Sequence, residues 1–356
     1  MDNILRRLSN IKRIIGPNNL NITKLNNKLI LLFGDFHTIT DNCTQSTEQS
    51  TDISIIELFE LFGQNSIVPV EIFVEGYKLI YGYQDDYKDF YNQMRSERMI
   101  FSNIGTLPNI LTRYWYCFGN EDNYCNNLNM RIHNIDFRRN PKSKYDFMKL
   151  PLIKDKNAYL NLIIGLLYGN MHLVAESLNI IYGCTEYNYH DLIRESNYYY
   201  IAEQYNNIPR SDELRRAIIQ LFIDKEYSFQ YEDKYAGIYI RSIIAYISII
   251  YAIARIVRTI YENNEPGIIM VYAGHRHIDK YTKLLTSIYG ANFITTSDGD
   301  EYFELARRTA TDQYELEELK KILPENVIFS SCTNVDRSVL DTLIRELNII
   351  LNYVSR

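Results

Sequence analysis

Short apolar runs that stop abruptly at glycine or polar residues alternate along the chain with longer stretches in which apolar positions recur every three or four residues. The short runs read as strands: residues 28–33 (KLILLF), 68–74 (VPVEIFV), 130–135 (MRIHNI) and 267–272 (GIIMVY), with 291–295 (ANFIT) as a fifth. Between the first two, residues 52–63 combine an acidic start, helical apolar spacing and a terminal glycine, the marks of a helix. Strand, helix, strand predicts a parallel βαβ unit. From about residue 151 to 262 the pattern is helical, clearest at 159–168, 211–222 and 235–261. Further helices are expected at 278–289, 315–321 and 338–354, with a short apolar run at 327–329, and the opening MDNILRRLSNIKRII reads as a basic amphipathic helix.

Together these elements predict an α/β fold: a mainly parallel central sheet flanked by helices, with a long helical insertion before the last motif-bearing strand. No repeat, low-complexity tract or Gly/Ser linker divides the chain, so the expectation is a single domain over residues 1–356 with the insertion at about 151–262.

Composition narrows the classes of function. The chain is 46% hydrophobic over 356 residues, enough for a large core. A formal net charge of −6 removes any general basic surface, so no nucleic-acid partner is expected. The longest apolar run, Ser242 to Ala254, falls short of the roughly 20 residues that span a bilayer, and reads as a buried helix. The N-terminus has no uninterrupted apolar segment suited to a signal peptide. Five widely spaced cysteines without a CxxC argue against a disulfide framework or a thiolate zinc site, and suit a reducing compartment such as the cytoplasm. Heavy use of Ile, Asn, Lys and Tyr, with 31 tyrosines, is the usage of an AT-rich genome such as that of a large DNA virus.

Candidate chemistry gathers where the strands end. An open parallel sheet binds its ligand outside the carboxyl ends of its strands. There the sequence places Gly34-Asp35-Phe36-His37, Glu75-Gly76, Asp136-Phe137-Arg138 and Gly274-His275-Arg276-His277. One such residue alone is ordinarily a turn or cap residue; four polar strand ends in one sheet carry the weight. Asp35, Glu75 and Asp136 in one crevice would need a cation, a metal or a shared proton to offset their repulsion. Histidine and carboxylate ligands suit zinc, manganese or iron(II). Arg241, at the start of the most apolar helical stretch, is the candidate internal countercharge.

Two GxxH motifs, GDFH at 34–37 and GHRH at 274–277, bracket the strand-terminal Glu75 and a helix that begins at Arg241. This arrangement resembles the superfamily of erythromycin esterase-like, ChaN-like and Tiki/TraB proteins. In that superfamily a first strand ends in GExH or GxxH, a second ends in a glutamate, and an arginine-bearing helix precedes a last strand ending in GxxH. The resemblance covers about residues 28–296. It implies a hydrolase that activates water, with His37, Glu75 and His277 at the centre and Arg241 in support. Asp35 stands where the family's glutamate usually does, shorter by one methylene. Asp136 and Arg138 would furnish the polar end of the third strand, and His275 is secondary. Some members are esterases acting without metal, Tiki-type members are metal-dependent proteases, and ChaN-like ones are linked to haem or iron. The implied cofactor is therefore one divalent ion (manganese, zinc or iron) on His37, Glu75 and His277, or none, and the implied substrate a small molecule or peptide.

Two other readings stay open. Asp35-x-His37 and Gly274-His275-x-His277 also match the first and last motifs of calcineurin-like metallophosphoesterases, which would make His275 and His277 both ligands of a two-metal site. The intervening GDxxD and GNH[DE] motifs of that family are lacking. A non-catalytic module that binds haem, iron or a host protein on the same fold is the third reading. His133, on a strand, and His172 and His190, in the helical block, read as structural, and Cys43 lies in a polar loop six residues after His37.

Overall fold

A computed structural model describes residues 1–17, 19–35, 51–75, 129–135, 155–183, 185, 201–226, 236–296, 332–335 and 337–354. His37, Cys43, Asp136, Arg138, His190 and the segments expected at 315–321 and 327–329 lie outside the described residues. The protein is α/β, with a six-stranded mixed sheet that is mostly parallel, a small three-stranded sheet, and helices. It divides into two compact units: residues 1–134, 264–282 and 291–356, and residues 135–263 with 283–290.

In the first unit the large sheet runs β6-β5-β7-β3-β2-β8, where β2 is Asn19–Leu25, β3 Lys28–Asp35, β5 Val70–Val74, β6 Met130–Asn134, β7 Gly267–Gly274 and β8 Ile294–Thr295. The expected strands at 28–33 and 68–74 are present and point the same way, but they are not neighbours. β7 lies between them, parallel to both. Every residue of β5 and β7 is buried. Strands covered on both faces read as continuous apolar runs, which is why these were conspicuous in the sequence.

One face of this sheet is made by alternate residues: Leu29, Leu31 and Phe33 of β3, Ile268, Met270 and Tyr272 of β7, and Val70, Ile72 and Val74 of β5. They share a core with helices α1 (Asp2–Leu8), α2 (Ile55–Asn65) and α8 (Arg337–Val354), where the Phe33 and Phe59 rings meet edge to face at 6.3 Å. The fit is tight enough that α2 presents Gly63 to Met130, whose sulfur lies 2.4 Å from where a Cβ would stand.

Two sequence expectations in this unit are corrected. The N-terminal helix stops at Leu8, and Arg13–Ile15 form β1, between β4 (Asp52–Ser54) and β9 (Cys332–Asn334). β-branched Ile14 and Ile15 favour a strand, and Arg13 grips Asp52 through Nε at 3.1 Å and Nη2 at 2.6 Å. The helix expected from residue 52 begins instead at Ile55. Its start is set by a capping box: Ser54 Oγ accepts from the Glu57 amide and Glu57 Oε2 from the Ser54 amide. β2 was not foreseen. It pairs with β3 across Asn26 and Asn27, both with positive φ (47° and 60°), the backbone that a two-residue hairpin turn requires.

In the second unit the described elements are helical: α3 (Lys156–Tyr168), α4 (Met171–Tyr182), α5 (Ser211–Glu226) and α6 (Ala236–Tyr261). Asp155 caps α3 and Asn170 caps α4, with Gly169 between them at φ 68°. Tyrosine hydroxyls close carbonyls that helix geometry leaves accessible: Tyr205 donates to Ile250 at 2.5 Å and Tyr246 to Leu221 at 2.8 Å. The apolar run from Ser242 lies inside α6. Among the described residues no helix is long and apolar enough to cross a membrane.

Candidate functional site

Strands β6, β5, β7 and β3 are parallel neighbours in that order, so their carboxyl ends lie side by side along one edge of the sheet. Asp35, the last residue of β3, is in register with Gly274, the last of β7. Glu75 follows β5 directly, and its amide donates to the Tyr272 carbonyl at 2.9 Å, extending the ladder by one bond. Immediately after β7 the chain turns into α7 (His275–Tyr289).

The turn into α7 brings Glu75 and His277 together. His277 Nε2 lies 3.0 Å from Glu75 Oε1, and the other carboxylate oxygen accepts from the Gly274 amide at 2.6 Å. Both side chains are buried. A buried carboxylate is tolerable only when its oxygens are satisfied, and here one oxygen meets an imidazole and the other a backbone N–H at the start of a helix. One turn along α7, the Tyr281 ring lies 6.2 Å from the His277 ring, centroid to centroid.

His275 is also buried, but two positions on a helix are separated by about 200° around its axis, so His275 and His277 leave α7 in different directions. The backbone of His275 fits against β3: a Cβ placed on Gly34 would stand 3.3 Å from the His275 Cα and 2.1 Å from Asn19 Oδ1. Gly34 is thus glycine because β3 and the start of α7 approach closely, with the Asn19 side chain filling the remaining space. Asn19 is buried, and its Oδ1 has no hydrogen-bond partner among the described residues.

Of the residues singled out in the sequence, the structure brings Glu75 and His277 into contact and sets the backbone of Asp35 beside them. Arg241 lies on α6 in the other compact unit, and His37, Asp136 and Arg138 fall outside the described residues. Among the described residues no three His, Cys, Asp or Glu side chains stand close enough to hold a metal ion.

Sequence reasoning missed a second buried carboxylate. Glu71 lies on β5 with two residues on β6 as partners: Arg131 through Nε at 2.8 Å and through Nη2, and His133 through Nε2 at 2.6 Å. His133 stacks on Phe73 at 4.7 Å between ring centroids. Burial pushes the Glu71 carboxyl upward, but the hydrogen bonds and charges of His133 and then Arg131 outweigh it and hold it below its ordinary value. Alternation was the available signal: Glu71, Phe73 and Glu75 share one face of β5 while Val70, Ile72 and Val74 enter the core on the other.

No protein-family model, curated protein or solved structure matches this chain. What it does must therefore be argued from its own residues.

Proposed function

We propose that this protein is a hydrolase that activates water at the Glu75–His277 pair. The observation that supports this most is the buried carboxylate–imidazole contact at the ends of two adjacent parallel strands, where a sheet of this kind presents its ligand site. With Nε2–H of His277 donated to Glu75, the lone pair resides on Nδ1, a buried nitrogen that would act as general base on a water admitted beside it. Glu75 fixes the ring and its tautomer and stabilises the imidazolium that forms when a proton arrives from water. The Gly274 amide holds the carboxylate in place through Oε2.

A metal-assisted form of the same reaction has one observation in its favour. A carboxylate and an imidazole already stand in contact there, two ligand types that divalent ions such as zinc, manganese and iron accept. Glu75 and His277 would be two of such an ion's ligands, with His37, named from the sequence motif, as the third. A bound divalent ion would supply Lewis-acid activation of the water. The different directions taken by His275 and His277 along α7 favour these arrangements, which use His277 alone of that pair, over one in which both bind metal.

The test is hydrolysis of an ester, peptide and phosphodiester panel by the purified protein, with metal content measured on the same sample. Ester or peptide hydrolysis that falls about 10²–10⁴-fold in His277→Ala, and comparably in Glu75→Gln, is the expected result. Hydrolysis that survives both substitutions overturns the assignment. Activity abolished by chelation and restored by manganese or zinc selects the metal-assisted form.

A further inference from the structure

We propose that a cleft lined, among the described residues, by neither Glu75 nor His277 binds a phosphorylated small molecule carrying two or more phosphate charges. The cleft has a volume of about 670 Å³ and lies where α1 ends, where β1 and β4 begin and where α8 starts. That volume is in the range of small-molecule sites, roughly 300–1,000 Å³. Among the described residues that line it, Arg7, Lys12 and Arg337 are cationic and none is acidic, in a chain whose net charge is −6.

Side-chain bonds hold Arg7 and Arg337, and backbone bonds hold the chain at Lys12. Arg7 Nη2 donates to the Asp52 carbonyl at 2.9 Å. Lys12 is pinned on both sides by its backbone, its amide donating to Thr51 and its carbonyl accepting from Val335, each at 2.8 Å. Arg337 opens the 18-residue α8 and pairs with Asp341 one turn along. A round cavity of this volume is about 11 Å across, comparable with the Debye length of about 8 Å at physiological salt, so all three charges act on one occupant. Ser9, Asn10 and Thr51 add neutral hydrogen-bonding side chains to the same wall.

Two guanidinium groups and an ammonium are the donors that phosphate oxygens take, and even with Asp341 offsetting part of the Arg337 charge the set suits phosphate at about −1.5 to −2 per group. Ile11 and Leu340 provide an apolar wall for the organic part of such a molecule.

Calorimetric titration of the full chain with pyrophosphate and, separately, with ATP tests the site. Both are expected to bind, more weakly as salt rises, and the variant Lys12→Ala/Arg337→Ala is expected to lose at least about tenfold in affinity through the loss of charge-assisted hydrogen bonds. Both side chains are exposed, so the core is left intact. Hydrogen exchange on the unmodified protein gives a reading independent of any variant, with ATP-dependent protection expected at residues 7–12 and 335–340. Failure of both ligands to bind, equal binding by the double variant, or protection confined to other segments would each overturn the proposal.

Discussion

Glu71 and Glu75 stand on the same face of β5, four residues and about 13 Å apart along the strand, and each meets an imidazole. Their surroundings differ. Glu71 lies within the strand, is neutralised by Arg131 as well as His133, and has its histidine stacked against Phe73. Glu75 lies just past the strand's end, where one of its oxygens meets an imidazole and the other a backbone amide at the start of α7. The same two residue types therefore make a lock in one place and a candidate reactive pair in the other. A strand interior surrounds a charge with fixed neighbours, whereas a strand end opens onto loops that a substrate can reach.

The largest contrast is expected in activity. His277→Ala should lose about 10²–10⁴-fold in hydrolysis, while His133→Ala should lower the melting temperature and leave the rate of the folded protein within a small factor. Equal losses in the two variants would mean that the comparison does not separate lock from site.

The next effect is on stability. Glu71→Gln leaves the buried His133 and the half-buried Arg131 without their carboxylate, and is expected to cost about 3 kcal/mol by urea denaturation. Because the folded Glu71 carboxyl titrates below its unfolded value near 4.5, its contribution is fully present above that pH and is lost as pH falls through the folded value. Stability measured against pH should therefore fall less steeply below 4.5 in Glu71→Gln than in the unmodified protein. Parallel acid limbs would show that Glu71 is not a lock.

The smallest effect concerns the packing beneath the site. Gly34→Ala is expected to destabilise by about 1–3 kcal/mol through overpacking against Asn19 and the start of α7. Adding Asn19→Ala should recover part of that loss, because the nearest atom the new Cβ meets is Asn19 Oδ1. A double variant as unstable as the sum of the singles would place the strain in the His275 backbone instead.

Much of the scaffold was legible in the chain. β3, β5, β6 and β7 announce themselves as apolar runs because a parallel sheet buried on both faces leaves little room for polar residues, and α3, α5, α6 and α8 follow their periodicity. β1, β4 and β9 were missed because three-residue strands carry too short a pattern to outweigh a neighbouring helical one. The turn at Asn26-Asn27 did leave a trace, two consecutive residues that tolerate positive φ, but without the glycine that usually marks such hairpins. At the site, Glu75 and His277 could be picked out as strand-end residues. Their direct contact, and the quite different use of Glu71 and His133, could not.

The sequence by itself determined most of the segments that become strands and helices, and that Glu75 and His277 would fall just past the ends of two of those strands. These are local properties, set by side-chain periodicity and by the residues that interrupt it. Only the tertiary structure decided that β7 inserts between β5 and β3. That insertion joins residues 199 positions apart and sets the Gly274 amide and His277 against Glu75. Strand order is a cooperative outcome of how the whole sheet packs against its helices, and no single segment encodes it.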